Sequence, residues 1–143
     1  MSKLLRTSEA AALGLHAAVI LAASPDAPVR ARELAERLGA SEAHLAKVMQ
    51  RLGKAGLVNS TRGPKGGFML DRPADQVSLL DVYEAIEGPI EPSACLFGRP
   101  VCGRKACIFG DFLTEFEARF RDYLANATLE ALAVDEEMPH VRS

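Results

Sequence analysis

A chain of 143 residues, 48% hydrophobic and 25% charged, has the composition of one globular domain with a real core, which excludes a disordered or low-complexity protein. A formal net charge of −2 excludes a protein that coats nucleic acid through bulk charge. Residues 41–72 nevertheless carry six bases against two acids, and residues 111–143 eight acids against three bases. That split suits one face that meets an anion and another that does not.

Near the start, Lys3 and Arg6 precede the apolar run "AAALGLHAAVILAAS", which superficially resembles a secretory leader. Glu9 and His16 interrupt the segment, and it is too short to span a bilayer. Leu13, His16, Ala17 and Ile20 recur at helical spacing, so the run reads as a first core helix of a cytoplasmic protein with no membrane partner. In that reducing compartment stable disulfides are disfavoured, and metal or redox roles for thiols gain weight.

"SPDAPV" breaks the chain with two prolines. "RARELAERLGA" then places Leu34, Ala35 and Leu38 on one face, with Gly39 as C-cap. Ser41 is placed to N-cap "EAHLAKVMQRLGKAG", whose apolar face is Leu45, Val48, Met49 and Leu52. His44, Lys47, Gln50, Arg51 and Lys54 are left towards solvent. Next, "LVNST" reads as a strand, "RGPKGG" as a tight turn and "FML" as the returning strand. A helix-turn-helix followed at once by a basic, glycine-tipped hairpin is the winged-helix plan. The expected fold is therefore mainly α with a small β-hairpin wing.

"VSLLDVYEAIEG" reads as an amphipathic helix capped by Ser78, with Leu79, Val82, Tyr83 and Ile86 inward and Gly88-Pro89 as its stop. The stretch "ACLFGRPVCGRKACIFG" holds every cysteine of the chain, Cys95, Cys102 and Cys107. "DFLTEFEARFRDYLANA" follows with Phe112, Leu113, Phe116, Phe120, Tyr123 and Leu124 along one side, a stripe suited to a partner surface. "TLEALA" reads as a short closing helix, and the polar remainder as a disordered tail. The organisation expected is a winged helix-turn-helix DNA-binding domain over 1–88, a cysteine-bearing loop over 89–110, a long dimerisation helix region over 111–133 and a tail over 134–143.

An exposed basic helix suits the major groove of double-stranded DNA, where side chains reach base edges and phosphates. Ser41, His44, Lys47, Gln50 and Arg51 are the candidate contacts. Arg62 and Lys65 sit on the wing, whose glycines let the backbone approach a phosphate. One helix-turn-helix gives little affinity, so a homodimer reading two half-sites of an operator is expected, joined through the aromatic stripe. The cysteine spacing lacks the paired CxxC of zinc sites. Soft thiolates in an irregular loop suit an iron–sulfur cluster, and Arg99, Arg104 and Lys105 favour thiolate. Without a cluster, two of the thiols could instead form a regulatory disulfide. No nucleophile–base pair, phosphate loop or cofactor fingerprint points to an enzyme.

The segments "ARELAERLGASEAHLAKVMQRLGKAGLV", "STRGPKGGFML" and "RPADQVSLLDVYEAIEG", followed by three clustered cysteines, resemble the Rrf2-type transcription regulators of bacteria from about residue 4 to 133. The cluster-binding branch of that family includes iron–sulfur and nitric-oxide sensors. The resemblance implies a homodimeric regulator, a repressor in the main reading, with a winged helix-turn-helix and a long C-terminal dimerisation helix. It matches Cys95, Cys102 and Cys107 to three cluster ligands, and Arg62 and Lys65 to the DNA-contacting wing. A [2Fe–2S] or a [4Fe–4S] cluster is compatible with that set. The fourth ligand departs from the family: Gly110 stands where some relatives have His, and Ala12 where others have an acid. His16, one turn later, is the candidate, with Glu9, water or a small thiol as weaker ones.

Overall fold

The computed structural model describes residues 7–90, 97 and 101–133. Its elements run α1 (Glu9–Ala22), α2 (Ala31–Leu38), α3 (Glu42–Lys54), β1 (Val58–Thr61), β2 (Gly67–Leu70), a 3₁₀ turn (Ala74–Gln76), α4 (Leu79–Glu87), α5 (Phe112–Asn126) and α6 (Leu129–Ala133). This is the mainly helical winged fold that the sequence implies. Cys95, Arg99 and the tail over 134–143 lie outside the described residues.

Ser8 starts α1 by accepting the Ala11 N–H at 3.1 Å, while its hydroxyl donates to the Glu87 carboxylate of α4. Because α1 is apolar almost all round, periodicity does not say which arc turns inward. Packing decides it. A Cβ on Gly14 would collide with the Ile86 side chain and press on Val48 Cγ1 at 3.3 Å, so α1 crosses α4 and α3 on this glycine. Ala11, Ala17, Ala18, Ile20 and Leu21 are consequently buried, with Leu13 at the edge of the buried arc. His16 is exposed on the other side, and so does not share the core face that its spacing from Leu13, Ala17 and Ile20 suggests.

Gly39 ends α2 in the left-handed conformation, at φ +63°, and its N–H reaches the Ala35 and Glu36 carbonyls. Ser41 then caps α3. Leu34, Leu45, Met49, Leu52, Val77, Val82 and Leu129 are the fully buried centre on which the helices close.

The hairpin pairs Val58 with Leu70 and Thr61 with Gly67 in antiparallel register. Val29, just before α2, adds a short third pairing. It donates to the Phe68 carbonyl at 3.0 Å and accepts the Phe68 N–H at 2.8 Å. Gly67 lies at φ +153°, and a Cβ there would sit 2.6 Å from the Val29 carbonyl oxygen. Gly66 is buried against the Thr61 carbonyl. The sequence assigns the wing glycines to approach by a phosphate, but Gly66 and Gly67 serve the approach of the chain to itself. Gly63, at φ +106° with open space around it, is the glycine at the free tip. Gly67→Ala is therefore expected to cost about 2–3 kcal/mol through backbone strain and a clash with backbone that cannot rotate away. The check is the urea midpoint at unchanged m-value; an unshifted midpoint contradicts it.

A second long-range pairing closes the domain. The Leu79 N–H donates to the Ala127 carbonyl and the Leu129 N–H to the Val77 carbonyl, each at 2.9 Å. This carries α6 against α1 and the 3₁₀ turn, so α5 is anchored at its C-terminal end to the same core.

Candidate nucleic-acid interface and cysteine segment

Burial of Leu45, Val48, Met49 and Leu52 fixes the rotation of α3 and turns Ala43, Lys47, Gln50 and Lys54 outward along one exposed line. Lys54 completes this line at i+7 from Lys47, a spacing that identifies it as a further candidate contact. The Ser41 hydroxyl oxygen accepts the His44 N–H at 3.1 Å, which leaves its own proton free to donate. His44 is half-buried on the flank of the line. Arg51 lies on that same flank, and its Nη1–H donates to the Ile86 carbonyl of α4 at 3.4 Å. Arg62 and Lys65 are exposed on the wing tip.

In the cysteine segment, Cys102 is exposed and Cys107 half-buried. The Phe109 N–H donates to Cys107 Sγ at 3.5 Å, and the Cys107 carbonyl accepts the Gly110 N–H at 2.9 Å. An N–H aimed at sulfur is the kind of contact that tunes a metal held by that sulfur. Arg104 turns its Nε–H to the Ala106 carbonyl at 3.3 Å. Among the described residues no three His, Cys, Asp or Glu side chains come together as a metal site. Within one chain, then, His16 does not join Cys102 and Cys107. His16 Nδ1 lies 2.7 Å from the Ala12 carbonyl, an acceptor only, so the proton sits on Nδ1. That leaves Nε2 as the ring nitrogen able to ligate a metal. The thiols and this nitrogen fit the donor chemistry of an iron–sulfur cluster.

α5 presents an aromatic ladder. Phe112 stacks on Phe116 at 6.3 Å between ring centres, Phe116 on Phe120 at 6.2 Å, and Phe120 meets Tyr83 of α4 edge-on at 5.7 Å. Burial, and secondarily the Glu87 carboxylate, push the Tyr83 phenol above its usual range, so the ring stays neutral in this contact. Phe112, Phe116 and Tyr123 remain exposed, and so do Phe97, Val101, Ile108 and Phe109 of the cysteine segment. Leu124 turns into the domain instead. Among the described residues, no helix is long and apolar enough to cross a membrane.

Residues 7–135 match the Rrf2 family, described as iron-dependent transcriptional regulators. The HTH-type transcriptional regulator IscR of Pectobacterium atrosepticum is 33% identical over 119 residues, 82% of this chain and 72% of its own. Among solved structures, CymR, the global cysteine regulator of B. subtilis, superposes with a TM-score of 0.76 at 28% identity, covering 91% of this chain and 97% of that one. IscR of T. potens superposes with a TM-score of 0.73 at 26% identity, covering 97% and 94%.

Proposed function

The chain belongs to the Rrf2 family of transcription regulators, and from that premise we propose that it is a homodimeric repressor whose hold on a double-stranded DNA operator depends on an iron–sulfur cluster. The observation that carries the DNA-binding part is the line Lys47–Gln50–Lys54, exposed on the second helix of a helix-turn-helix whose opposite face is fully buried. On this reading Gln50, Ser41 and His44 meet base edges in the major groove, while Lys47 beside them and Arg62 and Lys65 on the wing neutralise the flanking phosphates.

Cys95, Cys102 and Cys107 would hold the cluster, with His16 of a second copy as the fourth donor. When bound, the cluster supplies a redox-active centre of the kind that reacts with oxidants and nitric oxide. The cysteine segment then exists in a restrained and an unrestrained state. The two states differ in the spacing of the two recognition helices, and DNA affinity changes by the difference in stability between them. The exposed aromatic stripe of α5 is the surface through which two copies would pair. Exposed Cys102 also favours a second reading, in which no cluster forms and a thiol–disulfide change of the cysteines acts on the same helices.

The test of DNA binding is a salt series on an operator fragment. Arg62→Ala and Lys47→Ala are each expected to weaken binding and to flatten the slope of log K against log [salt] by about 0.9. Binding that keeps its affinity and slope in both variants would falsify the assignment.

A further inference from the structure

We infer that Arg51 is a positioning residue that ties the recognition helix to the last turn of α4, and not one of the DNA contacts; this rests on the DNA-binding reading above. The side chain stands off the Lys47–Gln50–Lys54 line, and its guanidinium reaches back into the protein, to the Ile86 carbonyl at 3.4 Å. Ile86 lies in the last turn of α4, where carbonyls lack intrahelical donors and carry the negative end of the helix dipole. Pro89, three residues on, has no N–H to offer that oxygen. A cation is therefore the group this carbonyl takes best.

The same turn is a meeting point for the rest of the fold. Glu84 pairs with Arg121 of α5 at 3.1 Å, Tyr83 meets Phe120 of α5, and Glu87 receives the Ser8 hydroxyl from the start of α1. The Ile86 side chain fills the space over Gly14 beside Val48 of α3. In sequence, the cysteine segment begins directly after Gly88-Pro89. The last turn of α4 is thus joined to α1, to α5 and through the chain itself to the thiols, and Arg51 is its polar tie to α3. A displacement of this turn by the cysteine segment reaches the recognition helix through Arg51 together with the Ile86–Val48 packing.

The test uses the full chain and a duplex that the wild type selects from a randomised pool. Kd is measured across a salt series before and after iron is stripped by chelation, for Arg51→Gln, Arg51→Lys and Lys47→Ala. For a positioning residue, Arg51→Gln keeps the wild-type salt slope while the ratio of iron-loaded to iron-stripped affinity falls about fivefold, and Arg51→Lys restores part of that ratio. A slope flattened by about 0.9, as for Lys47→Ala, with the ratio unchanged, makes Arg51 a DNA contact and overturns the inference. An Arg51→Gln variant that alters neither quantity overturns it too. A wild type indifferent to iron removal defeats the cluster reading instead. The inference is then decided by hydrogen exchange in the last turn of α4, where faster exchange in Arg51→Gln supports it and unchanged exchange overturns it.

Discussion

Leu129→Ala is expected to lower the unfolding free energy by about 2–5 kcal/mol, a large share of the roughly 5–15 kcal/mol that holds a domain of this size together. Leu129 is fully buried although it begins a helix of five residues near the end of the described chain. Its N–H is fixed to the Val77 carbonyl, and α6 packs on α1 and the 3₁₀ turn. α1 cannot slide into the vacated space, because Gly14 already sets it at contact distance from α4. The void therefore stays open and the cost falls in the upper part of the Leu→Ala range. Glu130→Ala, on the exposed side of the same helix, is expected to stay within about 0.5 kcal/mol of wild type. Urea unfolding at one fixed protein concentration checks both, since pairing of copies would add a concentration-dependent term. A loss under about 1 kcal/mol for Leu129→Ala would mean that α6 is a detachable appendage.

How far the sequence could be read depended on how locally each feature is encoded. α3 is strongly amphipathic, so Leu45, Val48, Met49 and Leu52 were recognisable as its buried face, and His44, Lys47, Gln50, Arg51 and Lys54 as the exposed one, of which only His44 is half-buried. Gly39, Ser41 and Ser78 mark their helix ends through chemistry at the cap itself, and each does cap its helix as its position suggests. α1 offered no such contrast. With apolar residues on nearly every side, the orientation of His16 was set by one crossing on Gly14, which only the partner helix reveals. The pairing of Val29 with Phe68 joins a single residue in a proline-rich segment to the wing, and a single residue has no periodicity to read. The contact from Arg51 to the Ile86 carbonyl runs from side chain to backbone across 35 residues, so no pattern of residue types announces it. Arg51 and Lys47 carry the same charge and lie close in sequence. What separates them is the neighbour each one faces.

Cys102→Ala is expected to abolish bound iron, acid-labile sulfide and the brown colour of anaerobically purified protein, while leaving the fold intact. Cys102 is exposed, so trimming its CH2SH side chain to a methyl removes no core packing, and the melting temperature of the iron-free forms should agree. A cluster needs four donors, and the cysteine segment supplies three thiols, so removing one leaves too few to compete with solvent. His16→Ala removes a different kind of donor. Its Nδ1–H is already committed to the Ala12 carbonyl, so only Nε2 is available to ligate. If His16 is the fourth donor, its alanine variant keeps iron at lower occupancy and changes the visible spectrum, with the three thiolates in place. If another group completes the set, the spectrum of His16→Ala matches wild type, and Cys102→Ala is still colourless. Colourless wild-type protein, prepared with ample iron, sinks the cluster reading. The thiol-switch reading then requires that a mild oxidant alter DNA affinity in the wild type and that at least one single cysteine variant lose the response. Loss in Cys102→Ala would identify the exposed thiol as one half of the switch.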